Sequence, residues 1–257
     1  MISVSKVCFS YGEPGVNNKR VIDDVSFEIE KGEFVALIGS NGSGKSTLAM
    51  LLNGVYTPDS GRISVDNFNM DNSEERLTAK MKIAVLFQNP SEHLVSGSVE
   101  SDIAFSLENY GIPSSEIRER VDESLSLFGL TEFRKKHPRQ LSGGEQQKIA
   151  LAGIWALKPD YIICDEVTTY LDYNSRKLVI ELLQKFKVEG GGVLFITQFP
   201  IETLNADRLL ILNNGKIRDS GIPSELLRDE NKMSSSGQTV PKQLILDELM
   251  MNTINGN

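Results

Sequence analysis

Apolar and polar positions divide the chain into strand-length runs toward both ends and a helical stretch between them. Ile2 to Tyr11 alternates imperfectly between apolar and polar residues, as a half-buried strand does, and Val21 to Ile29 repeats the pattern after a loop over 12–20. Lys31-Gly32-Glu33 turns the chain into Phe34-Val-Ala-Leu-Ile38, an unbroken apolar run, and Leu48 to Leu52 is helix-like up to Gly54. Pro58 to Gly61 reads as a turn, Arg62 to Asp66 as a short strand, and Lys82 to Phe87 as an apolar strand ending at Gln88-Asn89-Pro90. From Val99 to Leu157 the spacing turns helical: Ser101 to Tyr110, Ser115 to Phe128 and Gln146 to Leu157 carry apolar residues three and four apart. Strands return at Tyr161 to Cys164 and Gly191 to Thr197, and Arg208 to Leu212, a turn at Asn213-Asn214-Gly215 and Lys216 to Arg218 predict a hairpin-like close. Asn231 to Gln238 reads as a polar linker, and Pro241 to Met251 as a short helix with an apolar side. Strands alternating with helices predict an α/β sheet, with a ligand along the carboxyl edge of the strands.

At 257 residues, 40% hydrophobic and 24% charged, the chain has the length and composition of one large globular domain or two lobes. Its formal charge of −8, with no basic stripe, argues against a nonspecific nucleic-acid binder. No window approaches the roughly 18 consecutive apolar residues of a membrane span. The first residues lack the basic-then-apolar order of a signal peptide. The expectation is a protein soluble by itself that meets a membrane only through a partner. Cys8 and Cys164 lie in apolar strand-like runs without C-x-x-C spacing and read as reduced core residues of a cytosolic protein. His93 and His137 are isolated and form no metal-ligand grouping.

Chemistry enters at Gly39-Ser40-Asn41-Gly42-Ser43-Gly44-Lys45-Ser46-Thr47, which fits the phosphate-loop pattern G-x-x-x-x-G-K-[ST] between a strand and a helix. Gly42 and Gly44 let backbone N–H groups turn inward around phosphate oxygens, at the positive end of the helix that follows. Lys45 supplies a point charge for the β- and γ-phosphates, and Ser46 a hydroxyl ligand for Mg²⁺. The run Tyr161 to Cys164 enters Asp165-Glu166 directly, and two carboxylates ending a buried strand are expensive unless used. The first would hold the Mg²⁺ shell and the second orient a water for attack on the γ-phosphate, a structural salt bridge being the alternative. As strand neighbours they are expected to point to opposite faces. Ser142-Gly143-Gly144-Glu145 has the form of a capping box; it reads either as a capped helix or as a second helix N-terminus offering donors to an anion. Gln88 and Tyr11 are open by position alone: a strand-end amide for Mg²⁺ or a surface residue, and a purine-stacking ring or edge packing.

With the phosphate loop, Gln88, Leu141-Ser-Gly-Gly-Glu145 and Asp165-Glu166 in this order, the chain resembles an ATP-binding cassette (ABC) ATPase over about residues 1 to 230. Gln88 to Val95, Val99 to Pro113 and Leu151 to Leu157 further resemble the ATPase subunits of energy-coupling factor transporters, which import vitamins or transition-metal ions. The resemblance implies an α/β phosphate-loop NTPase fold with a RecA-like mixed-sheet core (1–87 and 158–230), an inserted helical subdomain (88–157) and a C-terminal linker and helix (231–257), a candidate dimerisation element. It implies that Tyr11 stacks on adenine, Gly39 to Thr47 cradle the phosphates, Ser46, Gln88 and Asp165 hold Mg²⁺, and Glu166 is the catalytic base. Ser142 to Glu145 would close on ATP bound by an opposite subunit, with Asp172 in the loop crossing that interface. The implied setting is an ATPase chain paired with a like or different one, peripheral on the cytoplasmic face of the cell membrane. Its membrane partners would be a transmembrane scaffold and a substrate-binding subunit, with no nucleic acid.

Three positions depart from the family pattern. Gln198 stands in place of a histidine that contacts the γ-phosphate, Val167 in place of proline or alanine, and Glu145 in place of glutamine. A glutamine amide donates a hydrogen bond but carries neither proton nor charge. Gln198 therefore gives a motive for a second reading, an ATP-binding subunit that hydrolyses weakly beside a competent partner. A third, a soluble cassette protein acting on DNA or ribosomes, is opposed by the acidic charge and by the lack of a coiled-coil insertion or second cassette.

Overall fold

The computed structural model describes residues 1–12, 19–89, 94–235, 237–242 and 244–245. Its elements are β1 (Ile2–Tyr11), β2 (Lys19–Ile29), β3 (Phe34–Ile38), α1 (Lys45–Leu52), β4 (Ser60–Val65), β5 (Phe68–Asn69), α2 (Ser73–Met81) and β6 (Ile83–Leu86). There follow α3 (Val99–Asn109), α4 (Ser114–Leu127), α5 (Gly143–Leu157), β7 (Tyr161–Asp165), α6 (Tyr173–Val188), β8 (Gly192–Ile196), β9 (Arg208–Asn213), β10 (Lys216–Gly221), α7 (Pro223–Leu226) and α8 (Glu230–Ser235). None of the described helices is long and apolar enough to cross a membrane.

Two sheets form. One is antiparallel, in the order β2-β1-β4-β5; the other runs β10-β9-β3-β8-β7-β6, parallel except for the β10–β9 pair. The central strand β3 shows why its sequence is wholly apolar. Phe34, Ala36 and Ile38 face a core shared with α3, α4, α5 and α6, while Val35 and Leu37 face a second core under the antiparallel sheet and α1. A strand covered on both faces has no position left for a polar residue. Because β3, β6, β7 and β8 are parallel, their carboxyl ends lie on one edge and deliver the phosphate loop, Gln88, Glu166 and Gln198 there together.

The opposite edge is tied by charge. Asp66 accepts from the Met1 ammonium at 2.5 Å and from Tyr161 Oη at 2.7 Å, and pairs with Lys82 Nζ at 3.1 Å. Asp160 takes Lys31 at 2.6 Å and Lys82 at 2.9 Å. Burial alone would raise the Asp66 carboxyl, but the ammonium, Tyr161 and Lys82 outweigh it and hold it well below the usual carboxylate range. A carboxyl depressed in the fold contributes stability that is present above its unfolded value, about 3.9, and is lost as pH falls toward its folded one. Asp66→Asn is thus expected to lower the melting temperature at neutral pH and to flatten its fall below about pH 4. Thermal melts across pH check this; parallel curves for the two proteins would refute it.

The predicted strands and the three helices of the middle stretch appear, with shifted bounds: α1 begins at Lys45 rather than Leu48, and α5 at Gly143 rather than Gln146. Three further helices, α2, α6 and α7, form where the sequence reading placed none. The linker expected over Asn231 to Gln238 is corrected: α8 occupies most of it, with Met233 fully buried in the core. Of the helix expected over Pro241 to Met251, Lys242, Leu244 and Ile245 are helical, and Gln243 and everything past Ile245 lie outside the described residues. His93 and residues 13–18 do so as well.

Candidate active site

The phosphate loop leaves β3 at Ile38 and enters α1 at Lys45. Gly42 and Gly44 have φ of 78° and 110°, conformations that side-chain-bearing residues rarely adopt. Gly44 caps α1 without any side-chain hydrogen bond, which leaves the first-turn N–H groups for an anion. Lys45 is 5% exposed; its Nζ donates to the Gly39 and Ser40 carbonyls at 2.9 and 3.2 Å and lies 3.6 Å from Glu166 Oε1. The loop is walled by distant parts of the chain. A Cβ on Gly39 would stand 2.2 Å from the Leu212 carbonyl oxygen, and one on Gly44 2.8 Å from Ile22 Cδ1. Gly215 N donates to the Ser43 carbonyl at 3.0 Å. Gly237, just beyond α8 with φ of 70°, abuts Ser40, whose Cβ would be 3.1 Å from an added methyl.

A cavity of about 540 Å³ opens over this loop. Asn41, Gly42 and Gly44 to Thr47 form its floor, Tyr11 lies at one side, and Gln88, Glu166 and Gln198 line it too. Tyr11 is held rather than loose. Its hydroxyl lies 3.0 Å from Thr47 Oγ1, and its ring meets those of Phe9 and Tyr56 edge-on at 5.1 and 5.6 Å. With 41% of its surface exposed, it presents a fixed aromatic platform beside the phosphate cradle.

Asp165 closes β7 and is 3% exposed. Burial pushes its carboxyl up to about 6, Glu166 adds to the shift, and a Ser46 hydrogen bond and Lys45 oppose it. Its Oδ1 has no hydrogen-bond partner among the described residues. A buried carboxylate oxygen with nothing to bind, beside a serine hydroxyl, is a donor set suited to a hard divalent cation. Glu166 lies past the strand end, with φ of 53°, its N–H donating to the Ile196 carbonyl at 2.9 Å. Glu166 is itself left-handed, so the two side chains diverge by this backbone turn rather than by strand alternation, a strained conformation of the kind that clusters at functional sites.

Ser142 to Glu145 and Asp172 do not line this cavity. Both are helix caps. Ser142 caps α5 in a full capping box, its N–H and hydroxyl donating to Glu145 Oε2 at 2.8 and 2.7 Å. Those Ser142 donors hold the Glu145 carboxyl low. Asp172 caps α6 through Ser175, between the exposed rings of Tyr170 and Tyr173. Sequence reasoning missed Lys19 and Val21, which also line the cavity from the start of β2, read there as loop and strand. It missed Glu202 as well, a 9% exposed carboxylate just behind Gln198. Lys19 and Val21 stand at the end of a polar run, Asn17-Asn18-Lys19-Arg20, and Glu202 between Ile201 and Thr203, and no motif spacing marks any of them.

The ABC transporter family profile matches residues 22–169. The energy-coupling factor transporter ATP-binding protein EcfA1 of Caldanaerobacter subterraneus subsp. tengcongensis is 37% identical over 243 residues, 94% of this chain and 88% of its own. A dimeric ATP-binding cassette in a post-hydrolysis state, bound to ADP and Pi, superposes with a TM-score of 0.79 at 26% identity, covering 87% of this chain and 99% of that one. The cbiO1 protein of Clostridium perfringens, part of the ABC transporter complex cbiONQ, gives 0.77 at 28% identity over 96% and 98%. Phosphate loop, strand-end acids and these likenesses agree: the chain belongs to the ABC transporter family, and within it to the energy-coupling factor transporter ATP-binding proteins.

Proposed function

We propose that the chain hydrolyses ATP as the motor subunit of an energy-coupling factor importer for a vitamin or transition-metal ion. The observation that carries this is the convergence of the phosphate loop, Gln88, Glu166 and Gln198 on one cavity. The backbone N–H groups from Gly42 to Thr47 and the Lys45 ammonium bind the β- and γ-phosphates, and Tyr11 stacks on the base. Ser46, Gln88 and Asp165 would hold Mg²⁺, which neutralises phosphate charge when bound. Glu166 takes a proton from the attacking water as its oxygen bonds to the γ-phosphorus and the bond to ADP breaks, giving ADP and phosphate. Gln198 donates a hydrogen bond to the γ-phosphate. Ser142 to Glu145 and Asp172 serve the site of a second ATPase chain, which explains why they cap exposed helix ends away from this cavity. In this reading residues 1–230 form one ATPase unit on the cytoplasmic face of the membrane. Its helical part, 88–157, passes closure to a transmembrane scaffold near Gln88, and a further membrane subunit binds the substrate.

Gln198 supports a second reading, a weakly hydrolysing member of a heterodimer. Losing one such donor elsewhere costs about 10²–10³ in rate, so a histidine restored here has room to act. Gln198→His is expected to raise the steady-state hydrolysis rate about tenfold at unchanged KM for ATP, a barrier change of about 1.4 kcal/mol. Equal rates in the two proteins would reject a damped γ-phosphate contact.

A further inference from the structure

Behind Gln198, one buried carboxylate joins the two loops that flank this side of the cavity. Glu202 lies in a short helical turn, Pro200–Asn205, and its Oε2 accepts from Thr168 Oγ1 at 2.8 Å and Thr197 Oγ1 at 2.7 Å. Thr168 belongs to the loop that follows Glu166, and Thr197 precedes Gln198. Arg176 of α6 completes the knot. Its Nη1 lies 3.5 Å from Glu202 Oε1, its Nε donates to the Leu171 carbonyl at 2.9 Å, and its guanidinium sits 4.2 Å over the Phe199 ring. Gln198 Nε2 makes a long hydrogen bond, 3.4 Å, to Thr169 Oγ1 in the facing loop. Burying a carboxylate is costly unless its partners repay it, and here every partner comes from the loops beside Glu166, Gln198 and Asp172 or from the helix Asp172 caps.

We propose that Glu202 is a positioning residue for ATP hydrolysis: by holding Thr168 and Thr197 on one oxygen it fixes Gln198 relative to Glu166, and through Arg176 it links that spacing to the Asp172 loop. This rests on the reading of Gln198 as a γ-phosphate contact. A shift of about 1 Å in such a group is enough to cost about 10²-fold in rate, so the residue acts on the chemical step without touching ATP. It also follows that displacement of the Asp172 loop by a neighbouring subunit reaches Gln198 through Arg176 and Glu202.

The test is single-turnover ATP hydrolysis with the full-length protein in excess, together with ATP binding and thermal melting, for Glu202→Gln, Thr197→Val, Gln198→Ala and the Glu202→Gln/Gln198→Ala pair. Glu202→Gln keeps an acceptor for the threonines but turns an amide toward Arg176. Thr197→Val removes one hydroxyl and keeps the shape, so it serves if the first variant does not fold. The expected result is a hydrolysis rate about 10–100-fold lower for Glu202→Gln or Thr197→Val with ATP affinity within twofold. The pair should be no slower than the slower single variant, since the two residues act as a unit. Unchanged rates in the Glu202 and Thr197 variants beside a slow Gln198→Ala would overturn the positioning role alone, as would effects that multiply in the pair. If Gln198→Ala hydrolyses ATP at the normal rate, the reading of Gln198 fails and takes this inference with it.

Discussion

Glu166→Gln is expected to lower ATP turnover by about 10²–10⁴, the usual worth of a positioned general base, while leaving ATP binding intact. The amide is the same size and keeps one acceptor oxygen, but it cannot take a proton from water. Binding should survive because, in the function proposed above, ATP is held by Gly42, Gly44 to Thr47 and Tyr11, all lining the cavity and none needing the Glu166 charge. That charge lies 3.6 Å from Lys45, so the substitution also relieves the lysine of a carboxylate that competes with phosphate for it. Affinity for ATP should hold steady or rise. Steady-state rates together with equilibrium nucleotide binding decide the matter, and a variant that still turns over at more than a tenth of the normal rate would move the base to another residue.

Gly39→Ala attacks the other half of the site. Gly39 does not need a positive φ, so the argument is one of space. Its added methyl would fall 2.2 Å from the Leu212 carbonyl oxygen and 2.7 Å from Ser43 Oγ. Ser43 can rotate; Leu212 cannot, because β9 is hydrogen-bonded between β3 and β10 and Leu212 is fully buried. The phosphate loop must give way instead. Overpacking of this kind costs about 1–3 kcal/mol, and a displaced loop misaims its N–H groups, so ATP affinity should fall at least about tenfold along with the melting temperature. Gly42→Ala makes the comparison: nothing lies within 4 Å of its added methyl, and only its φ of 78° opposes it. Should Gly39→Ala bind ATP normally, the contact with β9 would not constrain the loop.

The fold and the cavity were legible in the sequence to different depths. The phosphate loop was readable because its geometry depends on glycines and a lysine at fixed spacing, and β3 because a strand between two cores admits no polar residue. Helix α6 also carried a signal, with Val179, Leu182, Leu183 and Phe186 at helical spacing, obscured by the charged residues interleaved with them. Helix α8 carried almost none: a single buried Met233 holds a polar hexapeptide to the core, and only tertiary packing decides that. The capping of α5 and of α6 was written in Ser142-x-x-Glu145 and Asp172-x-x-Ser175, but not that Glu145 would take both Ser142 donors. Glu202 was invisible for a different reason. Its partners, Thr168 and Thr197, come from two loops, and no local pattern records which distant hydroxyls a carboxylate will meet.

The contact between Gly237 and Ser40 bears on how far the nucleotide-binding motif can be treated as a transferable part. In the sequence it is nine adjacent residues; in space its walls are Ile22, Leu212, Gly215 and Gly237. Grafting the nine residues onto another strand and helix would carry over the letters without the mould. Gly237, remote from the motif in the sequence, is part of that mould. A side chain added at Gly237 would press on Ser40, so residues far apart in the sequence share one packing constraint at the phosphate loop.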